Sequence, residues 1–166
     1  SQLDEAWFGC GRAHQQLGEV TLALQDFAEA HKRRKDGRYS ACLGMCSSVK
    51  SEHAWAIVHY QRAIEEEFSS PELYNNLGKS WRDNLGNNAK AVAPLREATR
   101  IRPNLSIAWH NLGMVYHALG NLPEAISCAN EALAGDAPRV PMFVNKCMYL
   151  WFQKNPGYQD EIQAVM

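Results

Sequence analysis

The sequence predicts an all-α fold in which about four helix–turn–helix units follow one another along the chain. Glycines recur at intervals of 33, 34 and 35 residues, in the dipeptides Cys10-Gly11, Leu43-Gly44, Leu77-Gly78 and Leu112-Gly113. A period of about 34 residues is typical of a helix–turn–helix repeat. No stretch alternates apolar and polar residues in the way that a half-buried strand requires. The two observations together favour a stack of helix pairs.

Each of these glycines lies within a first helix, and the same residue types recur around it. Ring-bearing residues stand four before it or three after it, at Trp7, Tyr74, Trp109, His14, Trp81 and Tyr116. Small residues recur in the second helix, at Ala23, Ala56, Ala91, Ala125, Ala30, Ala63, Ala98 and Ala132. A glycine inside a helix costs about 1 kcal/mol relative to alanine, so its recurrence predicts that the two helices of each unit approach closely.

The period and the capping signals define the helices and the units. We predict helix pairs at 3–17 and 20–34, 37–49 and 52–67, 71–84 and 88–101, and 105–118 and 122–134. The corresponding units are 4–36, 37–70, 71–104 and 105–138. Ser51, Ser70 and Asn121 are predicted to cap the helices that follow them, and a proline stands just inside two of these helices.

Two regions depart from the pattern. In the second unit, Ser40 and Ser47 replace both ring-bearing residues, and Ser51 stands where Gly18, Gly86 and Gly120 mark the turn of the other units. Residues 139–166 begin with an apolar helical segment that lacks the glycine, which fits either a C-terminal capping helix or a degenerate fifth unit. The first unit begins almost at Ser1, from which we expect the chain to be an excerpt of a longer polypeptide.

The pattern resembles the tetratricopeptide repeat family, in which W-x2-L-G-x2-Y is followed by a glycine, by A-x3-F-x2-A and by a proline. The segment from Trp109 to Tyr116, with Gly120 and Ala125, carries the strongest likeness. The resemblance covers about residues 4–138. It implies a right-handed superhelix of about four units plus a C-terminal capping helix, with a concave groove lined by the first helix of each unit.

The balance of charged residues argues against two classes of binding partner. With 17 Lys+Arg against 18 Asp+Glu, the formal net charge is −1, so we expect no nucleic acid and no anionic membrane as partner. No apolar run approaches the length of a membrane span.

Five widely spaced cysteines are interpreted as reduced core thiols of a cytoplasmic protein. Cys42 and Cys46 share a helix face, but no second Cys/His pair completes a zinc site, so packing is the favoured interpretation.

No motif of an active site occurs in the sequence. Phosphate-binding glycine loops, nucleophile elbows, H-E-x-x-H and kinase signatures are all missing. His110 and His117 are two helical turns apart, too far for a joint metal site without a third element. We therefore expect no enzyme, no catalytic residue, no cofactor and no metal.

The resemblance implies which residues face the groove. The peptide-binding candidates are Arg12, Asn75, Asn76, Lys79, Arg82, His110, Asn111 and His117, with Phe8, Gln15, Ala41, Cys42, Met45 and Met114 beside them. A clamp for a C-terminal carboxylate is not expected, because Lys and Asn are exchanged relative to that pattern. Asn76 and Asn111 match half of the asparagine ladder found in O-linked N-acetylglucosamine transferase-like superhelices. The alternative is that both amides are merely tolerated on an exposed helix face.

The leading hypothesis is a non-catalytic scaffold whose groove binds a peptide or a partner helix. The alternative is a regulatory or targeting segment of a larger enzyme, such as a bacterial signalling kinase or a glycosyltransferase, whose catalytic part lies outside this chain. Self-association through the apolar segment from Phe143 to Phe152 is a further expectation.

Overall fold

The computed structural model describes residues 2–84, 86–137 and 140–154. All regular structure in these ranges is helical: α1 Gln2–Gln16, α2 Val20–Arg33, α3 Gly37–Val49, α4 His53–Glu65, α5 Pro71–Asp83, α6 Asn88–Ile101, α7 Ser106–Ala118, α8 Leu122–Ala134 and α9 Val140–Lys154. The predicted all-α fold class is confirmed, and each of the eight predicted repeat helices begins and ends within two residues of the observed one.

The helices form a stack in which each one packs mainly against its neighbours in the sequence. Pairs such as α1 with α2 make the most extensive contacts, and α5 also touches α3 and α7, so first helices of adjacent units meet. The core is accordingly a row of small apolar clusters between successive helices rather than one centre. Stability in such an array is mostly a sum of nearest-neighbour interfaces.

The repeated glycines lie where the second helix approaches the first most closely. A Cβ atom would lie 2.7 Å from the Phe27 ring at Gly11, 2.6 Å from the Tyr60 ring at Gly44 and 2.5 Å from Leu95 at Gly78. At Gly113 the nearest atoms would be 3.3 Å away, and there Ala129 occupies the position of the bulky residue. The predicted close approach is confirmed in all four units, most tightly in the first three and less tightly in the fourth.

The turn between the two helices of a unit contains a residue whose backbone has the left-handed conformation, with positive φ. Gly18, Gly86 and Gly120 have φ between 65° and 77°, and Ser51 adopts the same conformation with φ of 61°. The prediction that Ser51 caps α4 is therefore wrong, because an N-cap residue needs an extended backbone. Glu52 precedes α4 instead, without a capping hydrogen bond from its side chain.

The other two predicted caps, Ser70 and Asn121, differ in whether the side chain makes a capping hydrogen bond. The Ser70 hydroxyl accepts from the backbone N–H of Leu73 at 3.1 Å, which confirms it as the N-cap of α5. Asn121 is the N-cap residue of α8, as predicted, but its side chain makes no capping hydrogen bond to this helix. The backbone N–H of Asn121 instead donates to the carbonyl of Tyr116 at 2.8 Å within the turn.

The second unit replaces its missing aromatic residues with a buried polar cluster. The Ser40 hydroxyl donates to Glu66 at 2.7 Å, and Nε2 of His31 lies 2.6 Å from the same carboxylate. His31 is almost fully buried, so Glu66 links α2, α3 and the end of α4. The packing of this unit thus rests on hydrogen bonds as well as apolar contact.

The final described helix, α9, packs on α8 and α7. Met142, Tyr149 and Phe152 are buried against the stack, while Phe143, Leu150 and Trp151 remain exposed. The assignment of 139–166 as a cap or a fifth unit stays a prediction, and residues 155–166 lie outside the described ranges. Among the helices that are described, none has the length and apolar character needed to cross a membrane.

Candidate functional site

The first helices of the first three units enclose a mainly apolar cleft of about 360 Å³. Its walls are formed by Phe8 and Arg12 of α1 and by Arg38, Ala41, Cys42 and Met45 of α3. The remaining lining residues are Tyr60, Phe68, Ser70, Glu72, Leu73 and Asn76. We call this space the α1–α3–α5 cleft. Two of the predicted site residues, Arg12 and Asn76, line it.

The charged groups at this cleft differ in how they are paired. Arg38 donates to Asp36 and to Glu5, both at 2.9 Å, and Glu72 is paired with Arg102. Arg12 is exposed and has no ion-pair partner in the part of the chain that the structure describes. Among the described residues, Arg12 is thus a guanidinium of the cleft that forms no ion pair, while the Glu72 carboxylate of the same cleft is paired with Arg102.

The thiol of Cys42 lies in the wall of the same cleft. Burial, with the neighbouring Cys46, raises its pKa to about 11 and outweighs the opposite influence of Arg12 and Arg38. The group is thus a neutral thiol near pH 7 and presents an apolar, polarizable surface rather than a nucleophile.

A row of hydrogen-bonded amides runs through α5 and α7, and we call it the amide row. An Arg82 guanidinium N–H donates to Oδ1 of Asn111 at 3.0 Å, and Nδ2 of Asn111 donates to Oδ1 of Asn75 at 2.9 Å. Nδ2 of Asn75 then donates to Oδ1 of Asn76 at 3.3 Å. Asn111 is 4% exposed and Asn75 is 7% exposed. Asn111 is therefore not a residue tolerated on an exposed face, because its amide joins two units.

The side chains of Lys79 and Arg82 both pair with the carboxylate of Asp83. Nζ of Lys79 lies 3.2 Å from Asp83, and Nε of Arg82 donates to Asp83 at 2.9 Å. Burial alone would raise the pKa of Asp83, but its hydrogen bonds with Arg82 and Lys79 lower it below the ordinary value. The positive charge at this end of the surface is consequently reduced by one ion-paired aspartate.

The two predicted histidines lie apart from the cleft. The ring of His117 stacks on Tyr149 at 4.9 Å and on Phe152 at 5.4 Å between ring centroids, so it belongs to the contact between α7 and α9. Nε2 of His117 is buried and has no hydrogen-bond partner among the described residues, and it lies beside a cavity of about 330 Å³. His110 is half-buried, and burial and nearby Arg82 lower its pKa.

The burial of His117 gives a pH dependence with a defined sign. Because burial lowers its pKa in the folded protein, the unfolded chain binds the proton first as the pH falls below about 6.5. We expect the free energy of unfolding to fall below that pH, by at most about 1.4 kcal/mol per pH unit for each such group. His117→Phe keeps the aromatic stack and should flatten the dependence in urea titrations at pH 7.5 and 5.5. An unchanged slope would contradict this assignment.

The cysteines do not all fit the interpretation as core thiols. Cys46 and Cys128 are buried, and burial raises their pKa to about 11 and about 12. Cys10 and Cys147, however, are exposed on α1 and α9, so the expectation is wrong for these two. In the described ranges no three His, Cys, Asp or Glu side chains come together as a metal site would require.

Half of the residues that line the cleft are not among the groove residues that the sequence predicts. Tyr60 and Phe68 reach it from the second helix of the second unit and the segment after it, and Arg38 reaches it from the start of α3. Tyr60 could have been found, since it holds the bulky position of the repeat and faces Gly44. Phe68 has no repeat signal, because its position follows the end of α4.

Comparison with known proteins gives a family match for part of the chain. Residues 106–134 match the model of the family described as Tetratricopeptide repeat. The Photosystem I assembly protein Ycf3 of Acaryochloris marina is 28% identical over 92 residues, which are 54% of this chain and 55% of that protein. The match thus spans about half the length of this curated relative.

Solved structures with the same fold cover almost the whole chain. YrrB, described as a tetratricopeptide repeat protein with an unusual peptide-binding site, has a TM-score of 0.79 at 19% identity over 90% of this chain and 77% of its own. MamA has a TM-score of 0.83 at 17% identity, over 96% and 86% of the two chains. PilF of Pseudomonas aeruginosa has a TM-score of 0.80 at 18% identity, over 93% and 70%. At these identities the likeness concerns the fold.

Proposed function

We propose that this chain, a tetratricopeptide repeat protein, is a non-catalytic scaffold that binds an extended peptide or a partner helix along its first helices. The observation that carries the proposal is the junction of an apolar cleft with an accessible amide. The α1–α3–α5 cleft reaches Asn76, whose side chain accepts a hydrogen bond from the buried Asn75, so apolar groups and a hydrogen-bonding amide meet at one residue. A peptide ligand has the same two components, apolar side chains and backbone amide groups.

The residues of this surface divide into binding and positioning groups. Asn76, Lys79 and His110 are half-buried or exposed, so a ligand can reach them. An amide such as that of Asn76 both donates and accepts, which suits a peptide backbone of any sequence. Asn75 and Asn111 are buried, and their contribution is to hold Asn76 and Arg82 in place. His117 stands outside the binding group because α9 covers its ring.

The relatives support a role in bringing proteins together. The curated relative is named for the assembly of photosystem I, and YrrB is described by its peptide-binding site. Neither name describes a catalytic activity. The proposed cytoplasmic location rests on the five free cysteines, and proposed self-association rests on the exposed Phe143, Leu150 and Trp151 of α9.

The test is a selection of 12-residue peptides from a random phage-displayed library on the immobilised chain. We expect enriched peptides to bind in solution and to lose about threefold to tenfold in affinity with Asn76→Ala or His110→Ala, because each loses one hydrogen bond worth about 0.5–1.5 kcal/mol. Fluorescence polarisation of the synthesised peptides measures the affinity.

Lys32→Ala is the matched control, since Lys32 is exposed on α2 away from the first helices. It should leave the affinity unchanged, and the melting temperature of every variant should be checked beside it. Absence of any enriched peptide, or equal binding by all variants, would refute the proposal.

A further inference from the structure

We propose that the recognised peptide carries a bulky apolar side chain, held in the α1–α3–α5 cleft, and a neighbouring carboxylate that pairs with Arg12. This inference rests on the proposed function and specifies the chemistry of its ligand. The partner is thus an extended apolar–acidic segment rather than a basic or wholly polar one.

The cleft has the shape and composition of a site for one large apolar group. Its volume of about 360 Å³ lies at the lower end of the range for ligand pockets, which are mostly apolar with few polar groups. Phe8, Ala41, Met45 and Leu73 supply side chains from three separate helices. Met45 is 39% exposed although it is apolar, so its thioether is available to contact a ligand. A methionine wall also adapts to side chains of different shape.

Arg12 stands at the edge of the same space, one helical turn after Phe8. Residues four apart share a helix face, so the guanidinium and the aromatic ring meet one ligand from the same side. Arg12 lies near enough to the Cys42 thiol of α3 to oppose, together with Arg38, the rise in pKa that burial causes. Both Arg12 and Cys42 line the same cleft.

The other arginines of this surface already have carboxylate partners. Arg38 is held by Asp36 and Glu5, and Arg82 is held by Asp83 and Asn111. Arg12 has no such partner among the described residues, as stated above. An incoming carboxylate would give Arg12 the kind of partner that Arg38 and Arg82 already have. A guanidinium and a carboxylate form charge-assisted hydrogen bonds that are stronger next to an apolar wall than in open water.

The carboxylate that we assign to Arg12 is that of an aspartate or glutamate side chain, because the sequence does not favour a clamp for a C-terminal carboxylate. Peptides from the selection described above are synthesised with free and with amidated C-termini. Equal affinity of the two forms supports the assignment to a side chain. A loss on amidation, with no loss on Glu→Gln or Asp→Asn substitution in the peptide, would overturn it.

The decisive experiment removes the charge of Arg12 with Arg12→Gln, reverses it with Arg12→Glu, and measures which peptides bind. We expect peptides selected on wild type to combine an apolar residue with a carboxylate, and to lose about threefold to tenfold in affinity with Arg12→Gln at low salt. The loss should shrink as salt rises. Neutralising the peptide carboxylate in the Arg12→Gln background should cost nothing more, because the pair is already absent. A fresh selection on Arg12→Glu should enrich lysine or arginine in place of the acid.

The contact between the cleft and the apolar side chain of the peptide is tested separately. Replacing the apolar anchor of a selected peptide by serine should lower affinity more than tenfold, on wild type and on Arg12→Gln alike. Arg62→Glu is the matched control, since it makes the same charge change at an exposed residue of α4 outside the cleft. It should alter neither the affinity nor the residues selected.

The outcomes separate this inference from the proposed function. Peptides that depend on Asn76 but show no acidic preference, or that bind Arg12→Glu as well as wild type, would overturn the inference and leave the groove function standing. Absence of any enriched peptide would overturn both.

Discussion

Replacing Gly44 by alanine is expected to lower the free energy of unfolding by about 1–3 kcal/mol, whereas Gly113→Ala should leave it within about 1 kcal/mol of wild type. A Cβ at Gly44 would lie 2.6 Å from the buried Tyr60 ring, and at Gly113 it would lie 3.3 Å from its nearest neighbours. Both substitutions gain the same helix propensity, so the difference between them reports the packing. Urea unfolding followed by circular dichroism measures it.

A double substitution tests the assigned contact. Tyr60→Ala is strongly destabilising by itself, since it removes a ring from the core. In that background Gly44→Ala should cost nothing, because the atoms that opposed the new methyl group are gone. Equal stability of Gly44→Ala and Gly113→Ala, or no coupling with Tyr60, would show that the helices do not meet in this way.

Replacing Asn111 by alanine is the second large expected effect, a loss of about 1–3 kcal/mol in the free energy of unfolding. The change leaves Oδ1 of Asn75 without the donor it has in the buried row, and it removes an acceptor from Arg82. Asn76→Ala should cost less, because Asn76 lies at the accessible end of the row. Thermal and urea unfolding of both variants provide the comparison.

The opposite order of stabilities would contradict the burial of Asn111. The expected order also affects binding experiments, since a loss of affinity in Asn111→Ala includes a loss of structure. Asn76 and Arg12 are therefore better probes of recognition than Asn111.

The periodic part of the structure could be predicted because its causes are local and repeated. Glycine spacing located the close approach of the helices, and Ser70 with its proline located the start of α5. Ser51 shows the limit of this reasoning. The sequence indicates both a cap and a substitute for the turn glycine there, and the backbone geometry of the turn decides for the latter.

The site could be predicted only in part, because side-chain pairing depends on partners from distant segments. The groove position of Arg12 follows from its place in the repeat, but that Arg38 is paired and Arg12 is not depends on Glu5 and Asp36. The contact of Asn75 with Asn111 joins residues 36 positions apart. No spacing rule distinguishes such a buried amide from an exposed one.

The contact at Gly113 ties the fourth helix pair to α9. A Cβ atom there would lie 3.3 Å from Cys128 of α8 and 3.8 Å from the Tyr149 ring of α9, whereas the nearest atoms at Gly11, Gly44 and Gly78 all belong to the second helix of the same unit. Ala129 and Tyr149 lie in one apolar cluster. A second helix with a bulky residue, such as α4 with Tyr60, would therefore meet the Tyr149 ring if it replaced α8, so α8 and α9 are matched to each other and the units are not freely interchangeable.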